Sequence, residues 1–190
     1  MCHAAFRSAW VSICESAGSA AGACAETATG SKGRYTLDEI TDHGQSRCRD
    51  LVRPCDIRGI LHSHSRYGDG AHPLASMVET AIEIGLDYLG ISDHFKSDSH
   101  QEGLDLAAAR VQRQEIDILR EKFSGFDILQ GVELDANPDG SLPLDDGTLM
   151  LFDYVIVSFP PENGHDREQL TEQAVKVASH PLVTILGQPV

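Results

Sequence analysis

From residue 56 onward the apolar positions of this chain switch repeatedly between short runs and helical spacing. Ile57 to His64 reads as a strand, after which Leu74, Met77, Val78, Ala81 and Ile82 mark one face of a helix that Gly85 can terminate. Tyr88 to His94 is a second strand. Leu104, Ala107, Ala108, Val111, Ile118 and Leu119 outline a longer helix that stops near Gly125, and Asp127 to Leu134 follows as a third strand. Pro138-Asp139-Gly140 signals a turn, and Asp153 to Phe159 a fourth strand. Asp166 with Gln169 three residues later forms a capping-box pattern at the start of the next helix, and Val183 to Leu186 is a fifth strand. Strands alternating with helices predict an α/β fold with a parallel sheet, either doubly wound or a barrel.

The segment before this pattern differs in composition. Residues 1 to 33, rich in Ala, Ser, Gly and Thr, are expected to form a mobile tail, and residues 34 to 55, polar and mixed in charge, a linker or short helix. Residues 56 to 190 then make one domain, long enough to bury a core. All five cysteines, Cys2, Cys14, Cys24, Cys48 and Cys55, precede it. An odd number without a CxxC argues against a disulfide framework or a zinc ribbon and for reduced thiols in a cytoplasmic protein. No run approaches the roughly 18 apolar residues of a membrane helix.

Charge narrows the partners. The formal charge is -14, and residues 57 to 190 carry 9 Lys and Arg against 22 Asp and Glu. Strong stand-alone DNA binding is not expected, because it depends on neutralising phosphates with cationic side chains. A phosphorylated substrate is still admissible where bound divalent cations offset the acidic field.

The chemistry gathers at strand ends. His62 and His64 are two apart and so share a face of an extended strand, with Asp69 returning from the following loop. Imidazoles with a carboxylate suit zinc, manganese or iron. Asp93 and His94, then Glu133 and Asp135, occupy the C-terminal ends of the next two strands, the rim on which β/α barrels build active sites. A barrel-like arrangement is therefore favoured, although only five strands are visible. Asp93 cannot point the same way as its neighbour His94, so Asp93 and Asp135 are expected to support ligands rather than to bind. His72, His100 and His180 read as surface or core residues, His180 beginning the fifth strand at the opposite end of the barrel.

The ordered series His-x-His with Asp69-Gly70, then Ser92-Asp93-His94, then Gly131-Val132-Glu133-Leu134-Asp135 resembles the PHP family, the polymerase and histidinol phosphatase domain. Asp56-Ile57-Arg58-Gly59, Asn137 to Leu142 and Phe152 to Ser158 resemble most the PHP domain of bacterial family X DNA polymerases. The resemblance covers Asp56 to Pro189. It implies a distorted TIM-like β/α barrel, seven-stranded in the family, with up to three divalent metals in a cleft at the strand ends. It also implies hydrolysis of phosphate esters, as a phosphatase or a 3′ to 5′ exonuclease. By resemblance His62 and His64 match the pair on the first metal, Glu133 the carboxylate bridging the first and second, and Asp69 and His94 ligands of the third. Glu133 and His64 are accordingly expected to be catalytic.

Three departures from the family change the expectation. Where the family has Ser-Val-His the chain reads Ser158-Phe159-Pro160, and where it has Gly-His-Pro the chain reads Gly187-Gln188-Pro189. Both losses fall on the second metal. The family's C-terminal Asp-x-His has no counterpart, so an incomplete barrel of about five strands is expected, with an open edge prone to association. Two metal sites are then expected rather than three, with impaired turnover. His165, in the loop after the fourth strand, reads as a solvated histidine, with replacement of the lost imidazole as the lesser alternative. The alternative is an inert PHP module with a structural or interaction role related to DNA polymerases. A metal-dependent amidohydrolase also uses His-x-His, but it would want a lysine or carboxylated bridging ligand, which Glu133 after Gly131 does not match.

Overall fold

The computed structural model describes Val52 and residues 56–97, 100–159 and 166–187. The expected tail, the cysteines and the linker apart from Val52 lie outside the described residues, as do Pro160, His165 and Gln188. Arg58 to Val190 group as one compact unit. Its elements are β1 (Gly59–Ile60), α1 (Leu74–Glu83), β2 (Tyr88–Ile91), α2 (Leu106–Lys122), β3 (Asp127–Asp135), α3 (Asp146–Leu149), β4 (Tyr154–Ser158), α4 (Arg167–Ala178) and β5 (Ile185–Leu186). Every neighbouring pair of strands is parallel and the sheet order follows the chain, β1 to β5. The result is a curled half-barrel with its helices outside, the strand order of a TIM-like barrel. No helix among the described residues is long and apolar enough to cross a membrane.

Local chemistry sets most boundaries. α1 buries Leu74, Val78 and Ala81, and the chain leaves it through Gly85 at φ +84°, a conformation that side chains on Cβ disfavour. α2 starts at Asp105, whose carboxylate accepts from the Ala108 amide, and Asp166 with Gln169 forms the full capping box expected at α4. The buried face of α2 departs from expectation: it is Ala109, Gln112, Ile116 and Leu119, whereas Val111 and Ile118 are exposed. Leu104 and Leu119 are buried as expected, and Gln112 takes a core position among the apolar residues because Asp93 and Gln130 satisfy its polar atoms. α3 was not foreseen. It is a single turn, capped by Asp145 accepting from Thr148, and too short to show a period.

Two apolar clusters fill the space between sheet and helices. One joins α1 and α2 to β2 and the start of β3, around Val78, Ile91, Ile116 and Ile128. The other joins β3 and β4 to α3 and α4, around Val132, Leu149, Val155 and Val177. On the inner side, Tyr154 at the base of β4 lies over Gly131 of β3 and Gly90 of β2, where any Cβ would strike its ring, and its hydroxyl donates to the Leu61 carbonyl at 2.6 Å. One side chain thus ties β4 to the chain leaving β1, and burial pushes the Tyr154 phenol well above its ordinary pKa. Tyr154→Phe is expected to lower unfolding free energy by about 1 kcal/mol in urea titrations, the typical net worth of one hydrogen bond.

The strand leaving β1 also corrects an expectation. Ile57 to His64 does not continue as one strand; its ladder is Gly59–Ile60 only. Ile60 packs on the helix side, so strict alternation would turn His62 and His64 away from the inner face. Side chains interrupt the ladder instead. The Ser92 hydroxyl accepts from the Ser63 amide at 3.2 Å, the Ser63 hydroxyl donates to the Gly90 carbonyl at 2.7 Å, and Tyr154 occupies the Leu61 carbonyl. The phase shifts there, and both imidazoles face inward. His180 likewise stands before rather than in β5, in the turn after α4, with its Nε2 3.4 Å from Asp146 at the start of α3.

Candidate metal centre

Glu133 is the hub of the inner face. It sits near the C-terminal end of β3 and is 2% exposed. The chain beyond β2 is held beside it by two backbone bonds, Glu133 donating to the Asp93 carbonyl at 3.1 Å and Phe95 donating to the Glu133 carbonyl at 2.9 Å. Three imidazoles converge on one carboxylate oxygen: the Nε2 atoms of His62, His64 and His94 lie 2.7, 3.2 and 3.5 Å from Glu133 Oε2. The Ser158 hydroxyl, from the end of β4, donates to the other oxygen, Oε1. Asp69 comes from the loop after β1, with Oδ1 3.1 Å from His64 Nδ1.

Two groups of donors have ligand atoms within 4.8 Å of one another, His62 with His64 and Glu133, and His64 with Asp69 and His94. His64 belongs to both. The five residues expected to ligate metal are therefore together, although His64 stands nearer to Asp69 than the assignment of separate ions implies. The donor chemistry fits divalent cations, and one further feature fits them too. His94 Nδ1 is buried without a hydrogen bond, and His64 Nδ1 has only the Asp69 carboxylate, at 3.1 Å, beside it. An unpaired buried polar atom costs on the order of 1 to 3 kcal/mol, which a cation among these nitrogens would offset.

Asp93 turns the other way, as expected from its neighbour. It is fully buried toward α2 and accepts three hydrogen bonds, from the Ser65 amide at 2.5 Å, the Ser65 hydroxyl at 2.6 Å and Gln112 Nε2 at 2.6 Å. Gln130 Nε2 completes the row by donating to Gln112 Oε1 and to the Ala109 carbonyl, both at 2.8 Å. Ser65 in turn closes the loop: its carbonyl accepts from Gly68 and Gly70, and a Cβ on Gly70 would meet the His64 carbonyl. The loop that presents His64 and Asp69 is thus fastened from within the core. Asp135 points inward and lies 3.2 Å from His100 Nε2. Sequence reasoning left His100 aside and did not single out Ser65, Gln112, Gln130 or the hydroxyl of Ser158; a glutamine at the core-facing spacing of α2 was the one available signal.

The electrostatics follow from this packing. Burial alone would raise the Glu133 pKa, but hydrogen bonds from His64, Ser158 and His62 outweigh it and hold the carboxyl down at about 2. His64 is raised chiefly by its bond to Glu133, and His94 is lowered chiefly by burial. In the metal-free protein the depressed Glu133 contributes stability that is complete above its ordinary value of 4.5 and is lost as pH falls toward 2. The raised His64 contributes below 6.5, and this is lost as pH rises through its higher folded value. These are two views of one pair and do not add. Urea titrations of metal-free protein are expected to show the gap between parent and Glu133→Gln, about 3 kcal/mol, widest between pH 4.5 and 6.5 and closing toward pH 2.

A curled sheet of parallel strands with histidines and carboxylates massed at its C-terminal edge defines a β/α-barrel protein with a candidate metal centre. A sequence model of the PHP domain matches residues 61–179, more than half of the chain, and the chain belongs to the PHP domain family. It is similar to the DNA polymerase/3′-5′ exonuclease PolX of Bacillus subtilis (strain 168), 35% identical over 163 residues that cover 79% of this chain and 29% of that protein. It is also similar to probable phosphatases of Thermoanaerobacter sp. (strain X514) and Thermoanaerobacter pseudethanolicus (strain ATCC 33223 / 39E), each 28% identical over 137 residues, 68% of this chain and 54% of theirs. The chain thus spans under a third of the polymerase and about half of each phosphatase.

Proposed function

We propose that this chain is a metal-dependent phosphoesterase module that hydrolyses phosphate esters, of a phosphorylated small molecule or of a nucleic-acid end. The observation that carries the reading is the convergence of three imidazoles on one oxygen of buried Glu133, with Asp69 against the far nitrogen of His64. Membership of the PHP family and relatives named as an exonuclease-bearing polymerase and as probable phosphatases support it.

His62, His64 and Glu133 would hold one divalent cation and Asp69 and His94 would contribute to a second, zinc, manganese or iron in either place; a neutral imidazole has a single free nitrogen lone pair, so His64 would serve one ion. When bound, such cations polarise phosphoryl oxygens and lower the pKa of water enough to make a nucleophile at neutral pH. The protein's part is to fix the donors before substrate arrives. Ser158 sets the rotation of the Glu133 carboxylate from one side while the imidazoles occupy the other. Asp93, turned into the core, holds the loop that presents His64 and Asp69. No Lys or Arg stands among these donors, so the metals would supply the positive charge that draws a phosphate in.

Hydrolysis of p-nitrophenyl phosphate and bis(p-nitrophenyl) phosphate with Mn²⁺ tests this. Turnover that chelation removes and Mn²⁺ restores is expected. Absence of any Mn²⁺-stimulated hydrolysis, together with absence of bound metal after incubation, would replace the reading with a non-catalytic PHP module.

A further inference from the structure

Four imidazoles stand in a row across the inner face. Ring centroids are 5.3 Å apart from His62 to His64, 4.7 Å from His64 to His94 and 3.5 Å from His94 to His100. The last pair differs in kind, with ring planes only 8° apart in a face-to-face stack. His100 is outside the resemblance that assigns the other three.

Its place is built from two sides. The chain beyond His94 folds back on itself, with Leu104 donating to the His94 carbonyl and Lys96 to the Leu104 carbonyl, each at 2.7 Å. Gly103 donates to the His100 carbonyl at 3.1 Å and passes so close to the His94 carbonyl that a side chain there would collide. From β3, Asp135 Oδ2 lies 3.2 Å from His100 Nε2. Asp135 is two residues beyond Glu133 and so shares its face.

His94, by contrast, has little to fix its ring. Nε2 is 3.5 Å from Glu133, too far for a strong hydrogen bond, and Nδ1 is buried without one. A histidine that binds metal is ordinarily oriented by a hydrogen bond on its second nitrogen, to a carboxylate, a carbonyl or water. Here a flat ring on a pinned loop covers the face of His94 instead, and rotation of His94 about its χ2 bond would drive its edge into that ring.

We propose that His100, held by Asp135, is a positioning residue that sets the ring plane of His94 for metal binding. The inference rests on the metal reading of the site. It assigns the effect to the flat face of His100 rather than to its nitrogens, so a phenyl ring should serve where a methyl group does not.

Mn²⁺ binding by equilibrium dialysis, read by electron paramagnetic resonance on the parent, His100→Ala and His100→Phe, separates the cases. His100→Ala is expected to weaken one Mn²⁺ site about tenfold, the lower end of what loss of an orienting neighbour costs a metal ligand, and to leave the other unchanged. His100→Phe is expected to keep the parent's affinity at both. Thermal unfolding of the metal-free variants accounts for any loss of fold, and the contrast between Ala and Phe at matched folded fraction carries the result. Parent-like binding by His100→Ala overturns the positioning role alone, and so does a loss in His100→Phe as large as in His100→Ala. A parent chain that binds no Mn²⁺ overturns the metal reading and this inference together.

Discussion

Glu133→Gln is expected to lower Mn²⁺ affinity at the inner face by more than about a hundredfold and to abolish measurable phosphoesterase turnover, because both carboxylate oxygens are in use. Oε2 faces three imidazoles and Oε1 accepts from Ser158, whereas an amide has one acceptor oxygen and no charge to offer on either side. The amide is nearly the same size, and the apolar clusters on the helix side do not involve Glu133. The apolar core is therefore kept, and the stability lost in the metal-free variant comes from the carboxylate's own hydrogen bonds, so binding is compared at matched folded fraction. Isothermal titration with Mn²⁺ and hydrolysis assays on the same sample measure both effects.

Asp93→Ala is expected to be the most damaging single change to the fold. Three donors, the Ser65 amide, the Ser65 hydroxyl and Gln112 Nε2, lose one shared acceptor in a fully buried position. At about 1 to 3 kcal/mol for each unsatisfied group, partly relieved by relaxation, a net loss of about 3 kcal/mol or more is expected. Burial pushes the Asp93 carboxyl pKa up despite its hydrogen bonds, so the charge itself is held at a cost. Asp93→Asn, which keeps one acceptor oxygen and removes the charge, should consequently lose less than Asp93→Ala. Urea unfolding gives the ranking, and amide hydrogen exchange across residues 63–70 should show the loop around Asp69 opening first.

The sequence was most legible where structure is decided locally. Gly85 and Gly125 end their helices at positive φ, and the Asp166 and Gln169 pair caps α4, because each depends on residues within a few positions. Glu133 was legible because nine residues of β3 carry it at the expected end of a strand. The start of the site was harder. His62 and His64 do share a face, but through a break in the strand made by Ser63, Ser92 and Tyr154, of which two are remote in sequence. The roles of Gln112 and Gln130 were not legible, since their burial depends on each other, on Asp93 and on a helix carbonyl, all remote in sequence. His100 escaped for the same reason. Its relation to His94 depends on a loop folding back and on Asp135, which belongs to a different strand.

The central claim is that Glu133 organises a centre for divalent cations. Equilibrium dialysis of metal-free protein against Mn²⁺, with bound metal counted by elemental analysis in the parent and in Glu133→Gln, tests it most directly. Two ions for each parent chain are predicted, with uptake largely lost in Glu133→Gln. A parent that takes up no Mn²⁺, or a Glu133→Gln variant that takes up as much as the parent, would contradict the claim.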